Sequence, residues 1–201
     1  MKKILIIGYN KNETKLYKLI YTKFKNIKLV NSKKKPILSF FKKFDLIISF
    51  GYRHIVNKNI IKKLERPIIN LHMSYLPFNR GAHPNFWSFM EKTPSGVTIH
   101  EINSGIDTGK IIVQKKKYFN LKKNSRLTFK NTYKILFEEL EKLLIKNLNK
   151  LISGNYKFHK QLGKGTLHLK SDLPTQVLKK WNQNIDKTIL KYKDYNRDEK
   201  I

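Results

Sequence analysis

The chain of 201 residues contains no cysteine, which excludes disulfide staples and any mechanism that runs through a thiolate. No apolar run approaches the ~18 residues that span a bilayer, so no membrane partner is expected. The opening MKKILIIG offers a basic pair and then only ILIIG. That is too short for the apolar core of a secretory signal, so it reads as a first strand, and cytoplasm is the default compartment. A dinucleotide fingerprint is also missing: G-x-G-x-x-G needs three glycines, and Gly8 stands alone, which argues against a nicotinamide or flavin enzyme. Arginine is scarce as well. Of 43 basic residues only Arg53, Arg66, Arg80, Arg126 and Arg197 are arginine; the remainder is lysine, and the formal net charge is +29. The lysines are scattered rather than gathered into a stripe. Together with abundant Asn and Ile, this is the composition an AT-rich genome produces. Such a field still steers anionic substrates inward and attracts nucleic acid nonspecifically. It supports a phosphorylated substrate and no specific nucleic-acid partner. No His spacing recurs in the manner of a zinc site, so no metal is expected.

What is present suffices to fold. With 40% hydrophobic and 12% aromatic residues, a chain of this length buries a real core. Short apolar runs at residues 4–7, 27–30, 45–50 and 67–72 read as strands without alternation, as in a parallel sheet covered on both faces. Helical segments at residues 13–25, at about 32–43 (opened by Ser32 and Pro36) and at 57–64 separate them. This alternation predicts an open, mostly parallel α/β sheet, whose ligands bind at the carboxyl ends of the strands. A short helix over 84–91 follows. Strands at 96–102 and from 111 then form an antiparallel hairpin. A long helix capped by Asn124 or Ser125 runs to residue 152. Its apolar positions Leu136, Leu140, Leu143, Leu144, Leu148 and Leu151 recur at three and four, and Gly154 closes it. Residues 161–173 read as a turn and a short strand, and 175–201 as a peripheral helix or a small dimerisation element with a frayed end. No internal repeat or low-complexity linker interrupts the chain.

The richest cluster of special residues lies between Asn70 and Gly109. Asn70 and His72 stand two apart at a strand end, so their side chains point the same way. After a turn-rich segment and the β-branched run GVTIHEI comes Asn103-Ser104-Gly105-Ile106-Asp107-Thr108-Gly109, where glycines bracket Asp107 and allow close backbone approach. An amide, an imidazole and a carboxylate therefore converge. His moves protons near neutral pH, a neutral amide stabilises a developing oxyanion, and a carboxylate orients the imidazole. That combination suits acyl transfer to an amine. His100, mid-strand, reads as structural. His83, in the turn, and His168 and Asp172, in the tail, are open to either a structural or a substrate reading.

These residues also resemble a known family. NLHMSYLPFNRGAHPNFW followed by SGVTIHEINSGIDTG is similar to the folate-dependent formyltransferases. Their signature Asn-x-His-x-Ser-x-Leu-Pro falls here on Asn70, His72, Ser74, Leu76 and Pro77, and their Gly-x-Asp-x-Gly loop on Gly105, Asp107 and Gly109. The resemblance covers residues 1–152. The wording of residues 75–89 is nearer to the nucleotide-sugar N-formyltransferases than to the glycinamide ribonucleotide or methionyl-tRNA enzymes.

The resemblance implies a Rossmann-like catalytic domain over residues 1–153 and a short C-terminal extension over 154–201. It implies Asn70, His72 and Asp107 as catalytic residues and 10-formyltetrahydrofolate as cosubstrate. It places that cosubstrate against Arg53, His54, Ile55, Val56, Ile102 and Gly105. A nucleotide-linked amino sugar, with a dTDP-4-amino-4,6-dideoxyhexose expected, would meet Tyr75, Arg80, Asn85, Trp87 and Tyr9. Gly8 reads equally as a phosphate-facing turn or a plain strand-to-helix turn, and Trp87 as a stacking or a packing residue. A homodimer is expected by the same resemblance. The other readings on this scaffold are glycinamide ribonucleotide formylation and a noncatalytic basic binding protein.

Overall fold

The computed structural model describes residues 2–24, 27–33, 37–124 and 126–198, with residues 197 and 198 by backbone alone. The elements are β1 (Lys2–Gly8), α1 (Leu16–Lys23), β2 (Ile27–Ser32), α2 (Leu38–Phe41), β3 (Leu46–Phe50), α3 (Lys58–Lys63) and β4 (Ile69–His72). They continue with β5 (Arg80–Gly81), α4 (Pro84–Met90), β6 (Gly96–Glu101), β7 (Ile111–Lys116), α5 (Phe129–Ser153), β8 (Leu167–His168), a 3-10 turn (Lys170–Asp172) and α6 (Ile185–Asp198). Six strands form one sheet in the order β2-β1-β3-β4-β6-β7. β1 runs parallel to β2 and β3, and β3 runs parallel to β4, while β6 is antiparallel to β4. This is the mostly parallel α/β sheet expected.

The chain divides into two compact units. The first takes Met1–His72, Thr98–Val113 and Leu140–Gln161, and the second takes Met73–Val97, Gln114–Glu139 and Leu162–Ile201. The stretch after residue 153 is thus shared between both.

In the first unit, Ile4, Leu5, Ile6 and Ile7 are fully buried, and so is every residue of β3 to within a few per cent. Burying each such side chain contributes about 1.5–3 kcal/mol. Leu5, Ile7, Phe41, Ile47, Val56 and Ile68 form one core cluster, with Tyr52 and Ile102 packed against it. α1 starts at Leu16, three residues later than the periodicity suggests. The buried carboxylate of Glu141, on α5, explains the start: it accepts from Thr14 Oγ1 and from Lys15 N, at 2.9 Å for the latter, next to the first turn of α1. Its charge also favours that position beside the helix N-terminus. Asn57 caps α3 by accepting from Asn59 N at 2.8 Å.

Further boundaries differ from the sequence reading. Ser32 closes β2 instead of opening a helix, and α2 is a single turn. α5 begins at Phe129 rather than at residue 124 or 125, with Thr128 Oγ1 accepting from Asn131 N at 3.2 Å. Lys25, Pro36, Ser125 and residues 199–201, which also fall within the helices that the sequence predicts, lie outside the described residues. Gly154 does follow α5 with φ +76, the left-handed stop that glycine supplies.

In the second unit, Phe86, Trp87, Phe89, Met90, Leu127, Phe129, Leu178 and Ile185 make the core. β5, read from sequence as turn, pairs in parallel with β8 through Arg80↔Leu167 and Gly81↔His168.

Candidate active site

The register of β4 decides what can meet there. Asn70 stands opposite His100 of β6, and His72 stands opposite Thr98. Directly opposed side chains on neighbouring strands lie about 5 Å apart at Cβ, so Asn70 and His100 are neighbours by construction. Asn70 and His72 share a face because they are two residues apart, while Leu71 between them is buried on the other face. Asp107 arrives from the loop after β6. Its φ is +49, a left-handed conformation uncommon for a non-glycine residue. Gly109 is required there, since a side chain at that position would run into the Glu101 carbonyl. Asn103 ties the loop together by accepting from Gly105 N at 3.1 Å and from Thr108 Oγ1 at 2.8 Å.

The side chains converge as follows. Asn70 Nδ2 donates to Asp107 Oδ1 at 3.1 Å and lies 3.1 Å from His100 Nε2. His72 Nδ1 is 3.6 Å from Asp107 Oδ2, and His100 Nε2 is 3.5 Å from Asp107 Oδ1. The two imidazole rings meet edge to face, with centroids 6.0 Å apart and planes at 89°. His72 is 7% exposed and His100 1%. The distances between Asp107 and the two rings are long for hydrogen bonds. Catalytic contacts often tighten only when substrate arrives.

One tautomer fits this cluster. His100 Nδ1 lies 2.8 Å from Glu101 O. A carbonyl only accepts, so the neutral ring carries its proton on Nδ1 and Nε2 is an acceptor. Asn70 Nδ2 then has one N–H for His100 and one for Asp107. Turned the other way, the Asn70 amide would set its oxygen against a nitrogen lone pair and a carboxylate. The structure therefore brings together Asn70, His72 and Asp107, and adds His100, which in this tautomer fixes which way the Asn70 amide faces.

Gln161 is a residue that sequence reasoning passed over. Its Nε2 donates to Asp107 O and to Gly109 O, both at 2.8 Å. Nothing local marked it, being one glutamine in a lysine-rich stretch.

The remaining candidates fall elsewhere. Gly8, with φ +110, and Tyr9 sit at the carboxyl end of β1, where Tyr9 N donates to Phe50 O at 2.8 Å and the Tyr9 ring meets Phe50 edge-on. Beyond β3, Arg53, His54 and Ile55 are exposed, Ile55 by 90%, whereas Val56 and Ile102 belong to the core packing. Burial pushes the nearby Tyr52 hydroxyl up from its ordinary pKa. Gly105 lies in the exposed part of the Asp107 loop.

In the second unit, Tyr75 and Arg80 are half-buried, while Asn85 and Trp87 are 5% exposed each within or beside the core. Asn85 Nδ2 donates to Phe129 O at 3.0 Å, and Trp87 stacks on His168. His83 rests against Trp181, and burial, with Lys170 nearby, holds its pKa below the usual imidazole value. Asp172 Oδ2 accepts from Leu169 N at 2.7 Å, a local turn bond. A cavity of about 520 Å³ at the amino ends of β1 and β3, lined by Lys3, Phe41, Asp45 and Arg66 among others, shares no residue with the Asn70 cluster. Among the described residues no group of three His, Asp or Glu is arranged to hold a metal ion.

Comparison with known proteins identifies the family. The chain is 33% identical to the formyltransferase PseJ from Anoxybacillus kamchatkensis, whose crystal structure is a complex with UDP-4,6-dideoxy-4-formamido-L-AltNAc and tetrahydrofolate. The TM-score is 0.82, covering 92% of this chain and 97% of that one. It is 39% identical over 70 residues to the methionyl-tRNA formyltransferase of Solibacter usitatus, a match taking in 34% of this chain and 22% of that protein. It is 43% identical over 72 residues to the bifunctional polymyxin resistance protein ArnA of Wigglesworthia glossinidia brevipalpis, covering 35% and 11% respectively. The matched stretch is thus a small part of both of those longer proteins. The profile of the Formyl transferase family matches residues 14–133, more than half of the sequence, so this chain belongs to the formyl transferase family of enzymes.

Proposed function

We propose that the chain moves a formyl group from 10-formyltetrahydrofolate to the amine of a nucleotide-linked amino sugar. The observation that carries the reading is the convergence of Asn70, His72 and Asp107 within 3.1–3.6 Å at the carboxyl end of β4. In the reaction the amine nitrogen attacks the formyl carbon and the carbon's bond to the folate nitrogen breaks. One proton leaves the attacking nitrogen and one is supplied to the departing nitrogen. His72 handles the proton, through Nε2, with Asp107 facing Nδ1 to orient the ring and balance imidazolium charge. Asn70 hands one of its two inward N–H bonds to the developing oxyanion, a contribution of about 3–4 kcal/mol in comparable sites. No step calls for a metal.

The loop after β3 suits a flat, largely apolar ring. Ile55 stands 90% exposed there, an apolar side chain that such a ring would cover, between the exposed Arg53 and His54 and the buried Val56. Gly8, Tyr9, Tyr75, Arg80, Asn85 and Trp87 enter this proposal as the substrate contacts that the family resemblance implies.

The acceptor we infer is a 4-amino-4,6-dideoxyhexose on a nucleoside diphosphate. The dTDP form is the sequence expectation, and the UDP-linked 4-formamido sugar in the Anoxybacillus structure supports the sugar while pointing to the other base. Surface-polysaccharide synthesis, a cytoplasmic location and a homodimer go with this proposal. Among the described residues, no helix is long and apolar enough to cross a membrane. The test is release of tetrahydrofolate with 10-formyltetrahydrofolate and, separately, the UDP-linked sugar, the dTDP-linked sugar and glycinamide ribonucleotide. Turnover with either sugar and none with glycinamide ribonucleotide is expected. Turnover with glycinamide ribonucleotide alone would replace the acceptor. Silence with all three amines, with salt-sensitive RNA binding, would leave a noncatalytic basic protein.

A further inference from the structure

We infer that Gln161 is a positioning residue for the Asp107 loop, acting through the backbone on either side of the carboxylate; the inference rests on the proposed role of Asp107. The loop from residue 103 to 109 has an inner and an outer set of ties. Inside, Asn103 Oδ1 accepts from Gly105 N and Thr108 Oγ1. Outside, Gln161 Nε2 spends both hydrogens on the loop, donating to Asp107 O and Gly109 O at 2.8 Å each. An amide has two N–H groups and no more, so a third donor bond is not available to it.

The donor is well matched to its task. Asp107 holds φ +49, which costs free energy for a residue with a Cβ and persists only where the surroundings impose it. Asp107 and Gly109 carbonyls point the same way only while the chain turns sharply between them, and one NH2 group satisfying both fixes that turn. The segment bearing Gln161 is itself anchored to the far side of the hairpin. Ile111 and His159 exchange backbone bonds at 2.8 Å in each direction, and Lys110 Nζ lies over the Phe158 ring at 5.5 Å from its centroid. The tie therefore runs from β7, through 158–161, back to the loop that carries the carboxylate. Gln161 lies beyond the residues that match the family profile, 14–133.

Loosening this tie lets Asp107 Oδ1 and Oδ2 drift from Asn70 and His72 without removing either partner. A displacement of about 1 Å at a reacting group can cost on the order of a hundredfold in rate. Gln161→Glu is the decisive variant, because it keeps size and shape while replacing the two-donor nitrogen by one acceptor oxygen that faces both carbonyls. We expect kcat to fall about a hundredfold with both KM values nearly unchanged, since neither substrate is held by this amide. Gln161→Lys, which restores N–H donors on a different stem, should recover most of that loss. Lowering the pH should also narrow the gap between Gln161→Glu and the parent, as the introduced carboxyl takes up a proton and regains a donor.

A residue that merely packs would behave otherwise. Gln161→Glu and Gln161→Leu would then lower the melting temperature, kcat per folded molecule would stay at the parent value, and the lysine variant would be no better than leucine. That result overturns the inference. Asp107→Asn run alongside separates the two levels. If Asp107→Asn is inactive while Gln161→Glu keeps the parent kcat, the positioning role fails and the site reading stands. If Asp107→Asn itself remains active, the reading beneath both fails.

Discussion

Two histidine–carboxylate pairs, one in each unit, make a useful contrast. In the second unit His168 Nε2 lies 3.1 Å from Glu91 Oε1; in the first, His72 Nδ1 lies 3.6 Å from Asp107 Oδ2. By distance alone the former is the better pair. Its surroundings say otherwise. The His168 ring lies flat on Trp87, centroids 4.0 Å apart and planes at 8°, and its backbone is held in β8 against Gly81. Everything there closes the ring into packing. Around Asp107, by contrast, an amide and a second imidazole crowd one carboxylate, which sits at a left-handed turn between glycines. A short histidine–carboxylate contact therefore marks nothing by itself. What marks a site is a cluster of polar groups whose donors and acceptors are matched one by one at a strand's carboxyl end.

The largest effect tests that contrast directly. Asp107→Asn keeps the shape and removes the charge, and should lower turnover by about a thousandfold or more, as loss of an orienting carboxylate does in other proton-transfer sites. His72→Ala should be as severe, and the double variant little worse than either, because groups acting as a unit are not additive. Circular dichroism and melting curves should stay close to the parent, since neither side chain belongs to an apolar cluster. Near-normal turnover in either single variant would put the first pair in the same class as the second.

The reciprocal variants are next in size. His168→Ala removes the stack and the Glu91 contact together and should cost about 1–3 kcal/mol of stability, read from urea midpoints. Glu91→Gln should cost less, because Glu91 is 29% exposed and solvent screens the pair. Turnover per folded molecule should be unchanged in both. A loss of kcat at full stability would make His168 a functional residue and dissolve the distinction between the pairs.

The sequence disclosed the first pair more fully than the second for a physical reason. Asn70 and His72 are local: a period of two at a strand end, followed by glycines around Asp107, is written within a few residues. The leucine positions of α5 are local in the same sense, and Leu136, Leu140, Leu144, Leu148 and Leu151 are all buried. β5 was illegible because two residues, Arg80 and Gly81, become a strand only by pairing with Leu167 and His168 far along the chain. The same holds for the start of α1, set by Glu141, and for Gln161. A bond between residues 54 or 126 positions apart leaves no periodic trace in either segment.

A third carboxylate sets the lower end of the scale. Asp45 stands before β3 and accepts from Lys3 N at 2.8 Å and from Lys2 Nζ at 3.0 Å, with no imidazole or side-chain amide bound to it. The bond from Lys3 N holds its carboxyl below the usual carboxylate range; burial opposes this, and the Lys2 ammonium adds to the lowering. A carboxylate whose pKa is lower in the folded chain gives stability that is present above the unfolded value, near pH 4, and is lost as pH falls through the folded one. Asp45→Asn should therefore lose a small amount of stability at neutral pH and show a shallower decline on the acid side. Urea midpoints from about pH 7 to about pH 3 would reveal it as converging curves. Parallel curves would mean that the carboxylate is no better held in the folded chain than in the unfolded one. In either case kcat at neutral pH should not move, because a carboxylate bonded to backbone and lysine at the amino end of a strand has the charge of Asp107 and none of its partners.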